Sequence, residues 1–121
     1  MDAAHFVSSR TALCLRHAGF HAFDCKSYYD NKDFLRLFPR RGEVTGGWYE
    51  AAPIAEAIDW LQVKYDVIID VTWEGIERGW LYVIHSPKGT YEATIHYCTR
   101  YLALDAAIYD VIVVKGVHTL R

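Results

Sequence analysis

The sequence predicts an α+β domain in the order helix, hairpin, helix, three-stranded meander, helix, and three observations near its centre carry that reading. Ile54, Ile58, Leu61 and Tyr65 recur at steps of four, three and four, which places them on one stripe of a helix. Immediately after Asp66 the period drops to two: Val67, Ile69, Val71 and Trp73 alternate with Ile68, Asp70 and Thr72, the pattern of a half-buried strand. Two short connections follow, Glu74 to Gly79 and Ser86-Pro87-Lys88-Gly89. Neither is long enough for a crossover helix, so the strands they join are antiparallel.

Taken in order, the first element is a helix from about Ser9 to Ala18. A serine hydroxyl in Val7-Ser8-Ser9 can accept from an N–H of the first turn, and Gly19 supplies the left-handed stop. Its stripe is Ala12, Leu15 and Ala18. Two runs rich in apolar and aromatic residues, Asp24 to Tyr29 and Asp33 to Phe38, flank the turn-forming Asp30-Asn31-Lys32 and predict a hairpin. Pro39 to Gly42 and Thr45-Gly46-Gly47 read as an irregular segment leading to Trp48 and Tyr49, in the part of the chain where function usually sits.

The central helix is predicted over Pro53 to Tyr65, with proline at a first position that needs no N–H. Strands are expected at Val67 to Trp73, Trp80 to His85 and Thr90 to Tyr97, with a helix laid across their apolar face. Thr99 can cap a last helix from Arg100 to about Lys115, stopped by Gly116, with Leu104, Ala107, Ile108 and Val111 as its stripe. The β-branched run Val111 to Val114 suits either the end of that helix or an added strand, and the helix is preferred. The whole is expected to be one domain, residues 1–121, with helices packed on one face of a mainly antiparallel sheet.

At 52% hydrophobic and 23% charged, the chain can bury a core without help from cross-links. Nine Tyr, five Phe and four Trp exceed what a small core requires, so some rings are expected at a contact surface and the chain is expected to form a homo-oligomer. A formal charge of −2 gives no overall attraction to nucleic-acid phosphates. Cys14, Cys25 and Cys98 are odd in number and widely spaced, which argues against a disulfide framework or a zinc module and for a reducing cytoplasm. Neither an export signal at Met1 to His5 nor an apolar run long enough to span a membrane is expected.

No residue is singled out as catalytic, and no metal or cofactor is implied. The histidines His5, His17, His21, His85, His96 and His118 include no pair at metal-helix spacing. His85 and His96 are expected to face each other across the second hairpin, as cross-strand polar residues rather than an acid–base pair. No local base or helix N-terminus activates a cysteine, and Asp70, Glu92 and Asp105 form no carboxylate pair. The one basic-plus-aromatic concentration is Arg36, Arg40 and Arg41, with Lys32 nearby and Trp48 and Tyr49 beyond Gly46-Gly47. Guanidinium forks match phosphate oxygens and aromatic rings stack on bases, so Arg36, Arg40, Arg41, Trp48 and Tyr49 are the candidate site for an anionic nucleotide. The bland alternative is a solvated loop whose Trp48 and Tyr49 pack down onto the core. Thr45-Gly46-Gly47 lacks the Lys-Ser/Thr of a phosphate loop, so nucleotide hydrolysis is not implied.

Several of these segments together resemble a known group. Phe6-Val7-Ser8, Ala18-Gly19-Phe20, Tyr49-Glu50-Ala51-Ala52-Pro53, Ala55-Glu56-Ala57-Ile58-Asp59-Trp60-Leu61 and Gly79-Trp80 with Tyr82-Val83-Ile84 are similar to small uncharacterised proteins of tailed bacteriophages and prophages. The chain departs from them at Ile54, where they commonly carry Thr, and in a last helix with fewer Glu and Lys. The resemblance implies an accessory protein that acts in the infected cell by binding, as counter-defence proteins do. The target implied first is a small nucleotide signal, sequestered without catalysis. The alternative is a host or defence protein inhibited through exposed aromatics, and a nucleotide-cleaving enzyme ranks third.

Overall fold

The computed structural model describes residues 5–22, 27–40 and 42–114. The chain is α+β and resolves into two compact units, Met1–Ala57 and Ile58–Arg121, the division falling inside the central helix.

In the first unit, α1 (Ser9–His17) starts where the hydroxyl of Ser8 accepts from the N–H of Thr11 at 3.3 Å. It ends where Gly19 adopts φ 98°, a left-handed conformation that costs glycine little. Thr11, Ala12 and Leu15 are buried, whereas Ala18 is only part-covered. The expected hairpin forms from shorter strands, β1 (Ser27–Tyr29) and β2 (Leu35–Leu37), in the register Tyr28↔Arg36; residues 24–26 lie outside the described residues. A further strand, β3 (Tyr49–Glu50), pairs with the other edge of β1, giving the order β2-β1-β3. Two residues are too few to show an alternation, which is why the sequence reads this stretch as irregular. Beyond β3 the chain stays paired: the N–H of Val7 donates to the carbonyl of Ala52 at 2.9 Å, and the Tyr29 hydroxyl donates to the carbonyl of Val7 at 2.5 Å.

The central helix α2 (Ile54–Tyr65) begins one residue later than expected, because the carbonyl of Pro53 already accepts from the N–H of Ala57 and proline therefore occupies the cap position. Its buried residues are Ile54, Ala57, Leu61 and Tyr65, so the stripe passes through Ala57 rather than Ile58. Asp66, at φ 57°, turns the chain out of the helix.

In the second unit β4 (Ile68–Trp73), β5 (Trp80–Ser86) and β6 (Gly89–Glu92) form an antiparallel sheet in that order. The register Ile69↔Ile84, Val71↔Tyr82 and Ile84↔Tyr91 puts the apolar residues of three strands on one face. Across β4 and β5 lies α3 (Arg100–Tyr109), capped as expected by the Thr99 hydroxyl, which accepts from Leu102 N–H at 3.1 Å. Ile84, Ile108 and Val111 are wholly removed from water. Each contributes on the order of 1.5 to 3 kcal/mol of transfer free energy. The β-branched run stays helical, as a π-helical turn over Asp110–Val114 that follows α3; Gly116 lies outside the described residues. Among the described residues no helix is long and apolar enough to cross a membrane.

The third strand is shorter than its alternation suggests. Pairing stops after Val83↔Glu92 and resumes at Trp80↔Tyr97, so the outer chain carries two extra residues in a bend. Because the insertion is even, Tyr97 returns to the face it would have occupied, against Tyr82 at a ring separation of 6.0 Å. Gly79 permits the return: its φ is 95°, and a Cβ there would lie 2.5 Å from the carbonyl oxygen of Tyr97.

Gly79 and Gly75 therefore separate two effects. Gly75 has φ 102° with open space around it, so Gly75→Ala should cost only the conformational term, about 1 kcal/mol. Gly79→Ala adds a backbone collision and should cost at least about twice that, measured by urea unfolding. Equal losses would show that the contact with Tyr97 does not constrain the fold.

Candidate functional site

The first hairpin carries the candidate site, and its geometry starts from Asp30. The Asp30 carboxylate, with its side chain only 5% exposed, accepts from the N–H of Lys32 at 2.9 Å, the N–H of Phe34 at 3.1 Å and Nε of Arg36 at 2.9 Å. Burial acts to raise its pKa, but the Arg36 guanidinium and the two backbone donors outweigh that and hold it below the usual carboxylate range. Asp33 in the left-handed region, at φ 64°, closes the turn.

Arg36 stands in β2 opposite Tyr28, which is opposite Glu50 in β3, so these three share one face of the sheet. Its bond to Asp30 uses Nε, and no described residue bonds to its two Nη groups. The guanidinium carbon lies 5.8 Å from the centroid of the Trp48 ring, a cation–π contact. Arg16, from the end of α1, donates through Nη1 to the carbonyl of Trp48 at 3.4 Å. Two arginines from different elements thus meet Trp48, Arg36 at its ring and Arg16 at its backbone carbonyl.

The remaining candidates divide. Arg40 is exposed; its backbone N–H donates to Oε1 of Glu43 at 2.7 Å, and its guanidinium has no partner among the described residues. Arg41 lies outside the described residues. Tyr49 faces inward and is buried, its ring 5.7 Å from that of Tyr29 and its hydroxyl donating to Oδ1 of Asp33. Burial first, and then the Asp33 carboxylate, push its pKa up to about 12. Tyr49 is therefore a core and turn residue, as the bland reading has it, and Trp48 is the ring left for stacking. Gly46 and Gly47 sit in a turn closed by Trp48 N–H to Thr45 C=O at 3.0 Å, and a Cβ on Gly47 would approach Asn31 to 3.3 Å. That close approach sets the glycine turn against the Asp30 turn.

Sequence reasoning missed Asp30 and Arg16. Asp30 reads as one of several turn formers, and only the hairpin register brings Arg36 back to it. Arg16 carries no signal, since its contact with Trp48 spans thirty-two residues of chain.

Elsewhere the histidines pair with acids. His85 Nε2 is bonded to Oδ2 of Asp70 at 2.9 Å and His96 Nε2 to Oε1 of Glu74 at 2.6 Å. They do not face each other: His85 pairs with Thr90 beside the second turn, while His96 belongs to the bend beside Glu74, near the other end of β5. That strand is about 17 Å long between Trp80 and His85 at ~3.3 Å per residue. Cys14 is part-buried, and burial raises its thiol pKa against the smaller lowering effect of Arg10. Among the described residues no group of three or more His, Cys, Asp or Glu could hold a metal ion. No family model, curated protein or solved structure matches this chain.

The Tyr49 environment makes a pH prediction. The folded-state pKa, about 12, lies above the ordinary value of about 10, so the contribution is complete below pH ~10. Between about 10 and 12 the unfolded chain ionises while the folded one does not, and stability falls. Urea midpoints at about pH 9 and 11.5 should drop more for the wild type than for Tyr49→Phe. Identical drops would remove Tyr49 as the cause.

Proposed function

We propose that this chain is a non-catalytic binding protein for a small anionic ligand with an aromatic base, a nucleotide signal, held by Arg36, Arg40 and Trp48. The observation that carries the reading is the orientation of Arg36. A buried carboxylate holds its Nε, its guanidinium carbon lies 5.8 Å from the Trp48 ring centroid, and no described residue bonds to its Nη groups, which suits the forked contact that phosphate oxygens favour. Arg40 adds a second guanidinium on the same strand's exit, and the Trp48 ring offers a stacking surface worth about 1 to 3 kcal/mol per base. The resemblance to small tailed-phage proteins supplies the setting, counter-defence in the cytoplasm of an infected cell, where sequestering the signal suffices and no acid–base pair is required.

A second reading, a module that inhibits a host or defence protein, draws on Phe34, Leu37 and Phe38, which are exposed in and just beside the edge strand β2. Phe38 also holds φ 49°, rare for a bulky residue.

The discriminating experiment is thermal unfolding with a panel of signalling nucleotides. A ligand bound only to the folded state at a hundred times its Kd adds about 2.7 kcal/mol and raises Tm. Arg40→Ala should weaken binding at least about tenfold, since a charge-assisted contact contributes roughly 1.5 to 3 kcal/mol, and should leave the unliganded Tm unchanged. The ligand should be recovered intact after heating; a cleaved product would mean an enzyme. No shift with any nucleotide, together with a co-purifying protein lost on Phe38→Ser, would move the function to these exposed residues at β2.

A further inference from the structure

Among the described residues β4 is the longest strand with an unpaired edge. The other outer strands, β2, β3 and β6, have three, two and four residues, whereas β4 has six and pairs only with β5. The N–H of Glu74 donates to the carbonyl of Gly79 at 2.8 Å, which fixes the alternation. Ile68, Asp70 and Thr72 exchange their backbone bonds with β5, and Ile69, Val71 and Trp73 turn theirs outward. No described residue bonds to those outward groups.

Edge strands are ordinarily blunted by proline, lysine, a bulge or a cluster of charges. The sequence Ile68-Ile69-Asp70-Val71-Thr72-Trp73 has one charge and none of the other devices. Ile68 and Trp73 are 45% and 50% exposed at its two ends. From this we infer that β4 pairs antiparallel with β4 of a second copy of the chain, across a two-fold axis at Val71, joining the two three-stranded sheets into one.

The charges select this register. Outward backbone groups fall on odd-numbered residues, so residues that face each other directly must both be odd or both be even. Centring the pair on Asp70 would set that carboxylate opposite the partner's Asp70, and centring it on Thr72 would set Asp70 opposite the partner's Glu74; like charges directly opposed are destabilising. Centred on Val71, Asp70 meets the partner's Thr72, Ile68 meets the partner's Glu74, and Trp73 packs on the partner's Ile69, an aromatic and β-branched pair of the stabilising kind. The acids of the two copies then meet only on diagonals, and Asp70 and Glu74 are each already bonded to an imidazole, of His85 and His96.

The test is a charge swap at Thr72, an exposed side chain. Sedimentation equilibrium of the wild-type chain should show a species of twice 13.9 kDa at micromolar concentration. Thr72→Asp should raise the dimer Kd roughly tenfold, because symmetry places two like-charge pairs in the interface, and the effect should shrink in high salt. Thr72→Lys should lower the Kd several-fold by facing the partner's Asp70. Circular dichroism of each variant at low concentration checks that the monomer stays folded, and the lysine variant tests the register even where the aspartate variant unfolds. A monomer of 13.9 kDa up to about 100 µM, or a dimer whose Kd moves with neither substitution, overturns the inference.

Discussion

A buried carboxylate stays ionised only where donors replace the water it has lost, and among the described residues Asp30 obtains its donors from the six residues that follow it. That requirement leaves the chain little choice. Lys32 and Phe34 must present their N–H groups inward, Asp33 must take a left-handed turn, and the Phe34 carbonyl must receive the N–H of Asp30 at 3.0 Å. Arg36 must then arrive opposite Tyr28, which sets the register of β1 against β2. Removing one donor would leave a charge with no water and too few partners, so the turn is fixed as a whole rather than bond by bond.

The same constraint places the cationic surface. A cation–π contact at an exposed site contributes only about 0.5 to 1 kcal/mol, too little to immobilise a long arginine side chain by itself. Asp30 does the holding, through the bond to Nε that sets the guanidinium beside the Trp48 ring. Arg16 and the close approach of Gly47 to Asn31 keep the Trp48 backbone in step with that turn. Arg40 differs, because its guanidinium has no partner among the described residues and any contact it makes must first overcome rotamer entropy.

What the sequence revealed follows from what repeats in it. The Ser8 and Thr99 caps, the alternation of β4 and the Leu104 to Val111 stripe are local patterns, and each appears where the pattern places it. Features set by pairing partners left no such trace. β3 is two residues long, and its existence depends on β1. The break after Glu92 depends on a glycine eighteen residues from the tyrosine it admits. The α2 stripe moved from Ile58 to Ala57, since small residues bury as readily as large ones and periodicity weights them less. At the candidate site, composition was enough to find the arginines and Trp48, but burial of Tyr49 and the role of Asp30 required the register.

The aromatic surplus is resolved unevenly, and the manner is informative. Tyr29, Tyr49 and Tyr82 are core residues whose hydroxyls donate to the Val7 carbonyl, Asp33 and Asp110. A buried tyrosine needs such an acceptor, and a carboxylate acceptor raises its pKa, as burial and then Asp110 do for Tyr82. These three tyrosines therefore serve to fill the two cores while pinning turns and helix ends to them. The indoles of Trp48 and Trp73 behave otherwise. Each is partly exposed, with Trp48 against Arg36 and Trp73 against Trp80 at 5.3 Å. An indole's single donor is easily satisfied by water, so a half-exposed indole keeps a large apolar face available at little polar cost. Trp48 and Trp73 belong to different compact units, so the ring proposed for stacking and the ring proposed for strand pairing are separate.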